Sequence, residues 1–171
     1  MKWLYVRSPA LARKPAHMPK LNLTKIQPRL GSNYPAPYDK PCQARSGLRL
    51  SDAAGLSQFG ANLITLSPKA WSSQRHHHSA EDELVFIVSG YPTLYEGGQG
   101  LVLSPGDVTA HPMGDGIGHH MKNETDEDVT FLVIGGRHPE TDTCVYPDID
   151  LDLPANGTSE RVYQRKNGTP C

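Results

Sequence analysis

Gln74-Arg75-His76-His77-His78-Ser79-Ala80-Glu81-Asp82-Glu83-Leu84-Val85-Phe86-Ile87-Val88-Ser89-Gly90 is the stretch from which both fold and chemistry read outward. His76 and His78 are two apart, so on a strand they share one face. Glu83 follows after four residues, about the length of a tight turn and the start of a returning strand. Leu84 to Val88 is a β-prone apolar run that stops at Gly90. Two imidazoles and a carboxylate on facing strands make a donor set for zinc, manganese, iron or nickel. A His-x-His pair alone is more often a surface or packing feature, and three adjacent histidines suggest a tag remnant, although tags are terminal and longer. The carboxylate and the strand that follow are what single this pair out.

A second segment runs Gly106, five residues, Pro112, Met113, Gly114, four residues, His119, three residues, Asn123. Together the two segments resemble the paired motifs of the cupin superfamily. The first family motif is Gly-x5-His-x-His-x(3,4)-Glu-x6-Gly, matched by His76, His78, Glu83 and Gly90, with Ala70 in place of the leading glycine. The second is Gly-x5-Pro-x-Gly-x2-His-x3-Asn, matched by Gly106, Pro112, Gly114, His119 and Asn123, with two additional residues before the histidine. The resemblance implies an all-β double-stranded β-helix, the cupin jelly-roll barrel, of the small bacterial single-domain kind. It implies one divalent transition metal ion per subunit (Fe, Mn, Zn or Ni) held by His76, His78, Glu83 and His119. Glu83 is then ligand, general base, or both in turn. Such a set leaves positions of an octahedral ion open to substrate oxygens or dioxygen.

A chain of 171 residues suits one domain with extensions. The 16 glycines and 15 prolines punctuate many short segments, which favours β structure over a helical bundle. A net charge of −1 gives no overall pull toward nucleic acid, and no helix-turn-helix pattern is visible. Cys42, Cys144 and Cys171 are widely spaced and lack Cys-x-x-Cys, so their spacing makes no zinc site and a reduced, cytoplasmic setting is expected. No apolar run approaches the ~20 residues that span a membrane.

In order, residues 1–44 read as an N-terminal arm, 45–137 as the barrel and 138–171 as an irregular tail packing on it. Residues 1–38 carry no Asp or Glu, which fits a transit peptide; a start at Met18, with the first 17 residues a loose arm or no part of the natural protein, is the simpler reading. The Pro-rich text from Leu21 to Pro41 cannot build a central strand and is expected to wrap the barrel or a neighbouring subunit. Arg45–Ser51 and Gln58–Leu66 read as the first strands, and Tyr91–Tyr95 with Gly100–Leu103 as a hairpin about Gly97-Gly98. In Glu83–Ser89, Val85 and Ile87 share the ligand face while Leu84, Phe86 and Val88 point outward. That outward apolar row needs cover, so a homodimer is expected; the alternative is the arm folded back over it.

The substrate pocket is expected at Gln74, Val85, Ile87, Met121 and Asn123, beside the ligands. No Lys or Arg stands among them, although Arg49 could reach in from an earlier strand, so phosphosugars rank below small neutral or carboxylated compounds. His111 and Tyr91 are possible supporting or acid–base groups. His119 is assigned to the metal and its neighbour His120 to the outer surface, because His120 shares a face with Lys122. Three functions stay open: a metal-dependent enzyme of dioxygenase, isomerase or lyase type acting on a small molecule, a non-catalytic small-molecule sensor, and a structural barrel without metal.

Overall fold

A computed structural model describes residues 20–158 and 160–171. The expectations for Met18 and the residues before it lie outside the described residues.

The strands are short and punctuated by turns, as the glycine and proline content requires. They are β1 (Arg29–Leu30), β2 (Arg45–Arg49), β3 (Phe59–Leu66), β4 (His77–His78), β5 (Glu83–Ser89), β6 (Thr93–Glu96), β7 (Gln99–Val102), β8 (Val108–His111), β9 (His119–Lys122), β10 (Val129–Gly136), β11 (Cys144–Val145) and β12 (Asp152–Leu153). One short helix, α1 (Leu50–Ala54), follows β2 and stops at Gly55, whose φ of 69° is a conformation glycine adopts without strain. A six-stranded sheet has the order β1-β2-β3-β10-β5-β8, and two three-stranded sheets have the orders β7-β6-β9 and β12-β11-β4. Every ladder is antiparallel. Single-residue bridges, His76 to His119 and Trp71 to Lys122, tie the chain before β4 to β9. This is the jelly-roll architecture expected from the motifs.

The inward rows of these sheets form the core. Ile64, Leu66, Val85, Ile87, Met121, Val129 and Phe131 pack together, all nearly or fully buried, and side chains of this size contribute about 1.5–3 kcal/mol each on burial. A second cluster joins the two ends of the chain: Tyr34 and Cys42 from the arm meet Cys144, Tyr146, Leu151 and Tyr163 from the tail. Tyr34 lies edge-on to Tyr146, with ring centroids 5.5 Å apart. Arm and tail therefore build one wall of the barrel. β1 extends the large sheet, and β11 pairs with β4, the strand that carries His78.

The alternation read in β5 holds: Val85 and Ile87 are buried while Leu84, Phe86 and Val88 are 39–46% exposed. The described part of the arm does not cover that row. It joins the sheet at β1, the opposite edge from β5 and β8.

Candidate metal centre and its cavity

Three backbone pairings converge on one spot. Glu83 opens β5 opposite His111, which closes β8. His76 bridges His119 at the start of β9. Cys144 of β11 stands opposite His78. Side chains from both layers therefore meet inside the barrel. Ligand atoms of His76, Glu83 and His119 lie within 4.8 Å of one another, as do those of His76, His78 and Cys144. His119 Nε2 is 3.4 Å from Glu83 Oε1, and the ring centroids of His76 are 4.9 Å from His119 and 5.1 Å from His78.

Two of the imidazoles have their tautomers fixed by acceptors that hold no proton. His76 Nδ1 donates to the Gln74 carbonyl at 3.0 Å. His78 Nδ1 donates to Asp142 Oδ2 at 2.7 Å, while Asp142 Oδ1 accepts from the Ala80 N–H at 2.9 Å. Each ring is left with a bare lone pair on Nε2, which is the arrangement a metal-binding histidine needs. Burial, then the charge of His78, lower His76 to about 3, so it is neutral at physiological pH. Burial works against the Glu83 carboxylate, but the His119 hydrogen bond and the neighbouring imidazoles outweigh it and hold the carboxyl down at about 2. For His78, burial favours the neutral ring, but Asp142 and Glu83 prevail and raise its pKa. His119 Nδ1 is buried without a partner. Buried imidazoles, two of them with Nδ1 committed to an acceptor, around an ionised carboxylate fit a divalent transition metal.

His111 stacks on His119 with centroids 3.6 Å apart and planes 13° from parallel. Its Nδ1 donates to Glu96 Oε1 at 3.0 Å and its Nε2 accepts from the Thr109 hydroxyl at 3.1 Å. Both nitrogens are engaged, so His111 supports His119 rather than acting as a free base. Tyr91 is exposed and outside the cavity.

The cavity around this set has a volume of about 210 Å³. Val85, Met121 and Arg49 line it. Three expected pocket residues do not line it. Gln74 is turned toward the arm, its Nε2 donating to the Tyr38 carbonyl at 2.7 Å. Ile87 is fully buried in the apolar core, one step beyond the cavity on the same strand face. Asn123 is fully buried and ties a turn: Nδ2 donates to the Leu66 and Glu127 carbonyls, and Oδ1 accepts from the Thr125 N–H and hydroxyl. His120 is also corrected. It is 6% exposed rather than on the outer surface, edge-on to Trp71, with Nδ1 3.2 Å from the Ser73 carbonyl. Lys122 misled the assignment because its ammonium lies over the rings of Trp71 and Tyr95, so that face of β9 is covered.

Sequence reasoning missed the residues that arm and tail deliver. Asp142 is 64 positions from His78, and no local pattern announces such a pair. Tyr34, Cys144, Tyr146, Tyr163, Arg29, Arg45 and Arg161 all line the cavity.

A family model described as the Cupin domain matches residues 62–135. A structure from Silicibacter pomeroyi, described as a sugar phosphate isomerase from a cupin superfamily, is 44% identical, with a TM-score of 0.84, covering 90% of this chain and 96% of that one. The acireductone dioxygenase of Bacillus cereus is 29% identical over 133 residues, 67% of this chain and 75% of that protein. A polyketide cyclase from Streptomyces resistomycificus shares the fold at 16% identity and a TM-score of 0.55.

Proposed function

The chain belongs to the cupin superfamily, and on that premise we propose that it is a metal-dependent enzyme acting on a small molecule, of isomerase type. The observation that carries the reading is the pair of histidines, His76 and His78, whose Nδ1 atoms are committed to acceptors, with His76 gathered beside Glu83 and His119 and His78 gathered beside His76. A structural barrel has no use for buried imidazoles and an ionised carboxylate held together. The isomerase type is favoured over the dioxygenase type because the relative described as an isomerase matches at higher identity and over more of the chain.

His76, His78, Glu83 and His119 would hold the ion. Bound there, a divalent metal supplies Lewis acidity toward a substrate oxygen, or redox capacity if it is iron. The protein supplies the rest. Among the described residues Glu83 is the one carboxylate lining the cavity. Its low pKa suits a ligand better than a base, because basicity falls with pKa. Tyr146, raised well above its ordinary pKa by burial, keeps its proton and can donate a hydrogen bond but not accept a proton from carbon. Tyr34, Tyr146 and Tyr163 close one side of the cavity against water.

Elemental analysis of protein purified without added metal tests the core of this reading. About one transition metal ion per chain is expected, lost in His119→Ala and retained in His120→Ala. A wild-type preparation near zero, with apo protein that does not take up metal, sinks it. Deuterium incorporation from solvent into a hydroxycarbonyl substrate, without oxygen uptake, supports the isomerase type. Oxygen consumption with substrate supports the dioxygenase type instead.

A further inference from the structure

Arg45, Gly47 and Arg49 alternate onto one face of β2, and all three line the cavity. Arg29 of β1 stands directly across from Gly47, so its side chain leaves the same face between the other two. Gly47 keeps that space open. A Cβ there would come 2.9 Å from Ile64 Cδ1 and 3.9 and 4.0 Å from the Arg45 guanidinium nitrogens. Arg161 reaches the same cavity from the tail. Among the described residues the lining thus holds four guanidinium groups against a single carboxylate, Glu83.

Arg49 pairs with Asp52 at 3.1 Å, but among the described residues Arg29, Arg45 and Arg161 have no carboxylate within ion-pair distance. Arg45 Nε is buried without a hydrogen-bond partner, and its one bond runs from Nη1 to the Gly31 carbonyl at 3.2 Å. Ser32 Oγ, also in the lining, is buried and unpartnered. Arg29 is lowered by burial and then by Arg49 and Arg161, and Arg45 by burial, with Arg161 and Arg29 adding to it, while the neighbouring tyrosines Tyr163, Tyr146 and Tyr34 raise Arg161 against its burial. A gathered set of cations with idle donors is unfavourable unless an anion completes it. Planar guanidinium forks match the oxygens of a phosphate group two at a time. Phosphosugars ranked low because no Lys or Arg stands on the inward row of the strands between residues 74 and 123. The cations come from outside that span.

We propose that Arg29, Arg45, Arg49 and Arg161 form a subsite for a phosphate monoester, seating the phosphorylated end of a small substrate in the cavity that His76, Glu83 and His119 share. This deepens the enzyme reading above and rests on it for the identity of the other end of the substrate. The donors come from three separate parts of the chain, the arm, β2 and the tail, so the subsite exists only when both ends of the chain are docked.

Calorimetric titration with inorganic phosphate, glycerol 3-phosphate and glycerol tests it on the protein as purified. Both phosphates should bind one to one, more weakly as salt is raised, and glycerol should not bind. Arg45→Met and Arg161→Met should each weaken phosphate binding about tenfold or more, the loss of one charge-assisted hydrogen bond. Arg49→Met, on an exposed residue, gives the same reading if circular dichroism shows Arg45→Met misfolded. Protein stripped with chelator should keep its phosphate affinity within about threefold, since the arginines and not the ion hold the anion. No phosphate binding by about 10 mM overturns the proposal, as does unchanged affinity in the folded arginine variants or acetate binding as tightly as phosphate. Phosphate binding that vanishes on metal removal also overturns it. Arginine-dependent phosphate binding in a protein that takes up no metal upholds the subsite while the enzyme reading fails.

Discussion

Asp142→Asn probes the metal reading through a residue that touches neither metal nor substrate. Asp142 Oδ2 accepts from His78 Nδ1 at 2.7 Å while Oδ1 accepts from the Ala80 N–H at 2.9 Å, and the Asp142 side chain is only 9% exposed. Asparagine is nearly the same size but carries one acceptor and one donor. If its oxygen keeps the Ala80 N–H, its NH₂ faces the His78 Nδ1–H, and two donors meet. The conflict resolves by moving the His78 proton to Nε2, where it blocks the lone pair a metal needs, or by turning the amide, which strands the Ala80 N–H at a cost of about 1–3 kcal/mol. Either way metal affinity should fall about 10- to 100-fold, or roughly 1.4–2.7 kcal/mol. Competition against a chromophoric chelator measures it, with zinc or cobalt added to stripped protein. The melting temperature of the stripped variant serves as the control for folding. A stripped variant that melts as the wild type does and binds metal within about twofold of it would refute the role given to His78.

Gly90 has a φ of 76°, and a Cβ there would lie 2.7 Å from Val129 Cγ1 and 2.9 Å from both Asp128 O and Val129 Cα. Gly90→Ala should therefore lower stability by roughly 2–4 kcal/mol in urea unfolding, since most of what it meets is backbone. Burial raises the thiols of Cys42 to about 11 and Cys144 to about 12. At pH 8 a disulfide reagent should titrate the exposed Cys171 quickly and the other two only after denaturation. The sign of the same shifts makes the native state the better proton binder above about pH 9, so thermal stability should decline as pH climbs from there toward 11. The outer face of the large sheet carries Leu84, Phe86, Val88 and Val108 exposed; light scattering should give a dimer mass, and Phe86→Glu should shift it toward monomer. A monomer at micromolar concentration for the wild type removes the dimer expectation.

Local spacing was enough for the barrel and for the expectation that His76, His78, Glu83 and His119 face one interior. His76 and His78 alternate on one strand, Glu83 follows a tight turn and Gly90 ends the run, and the second segment carries His119 at a spacing that a jelly roll can use. These are short-range constraints, set by the two-residue period of a strand and by which turns glycine and proline allow. The split of β5 into a buried and an outward row was legible for the same reason.

What failed was whatever depended on distant pairing. Gln74, Ile87 and Asn123 have the right parity for the pocket. Parity cannot tell which stretch of an inward row borders the cavity and which is packed solid, nor that Gln74 turns to Tyr38 in the arm. Lys122 was read as facing water because a strand face is judged from its own residues, yet the rings of Trp71 and Tyr95 lie beneath its ammonium. The arginine wall and Asp142 were invisible for one physical reason. Arg29 and Arg161 are 132 positions apart, and His78 and Asp142 are 64 apart, so only closure of the chain ends through β1–β2 and β4–β11 brings them to one cavity. The sequence determined which side chains could hold a metal; the docking of arm against tail decided the charge of the space around them.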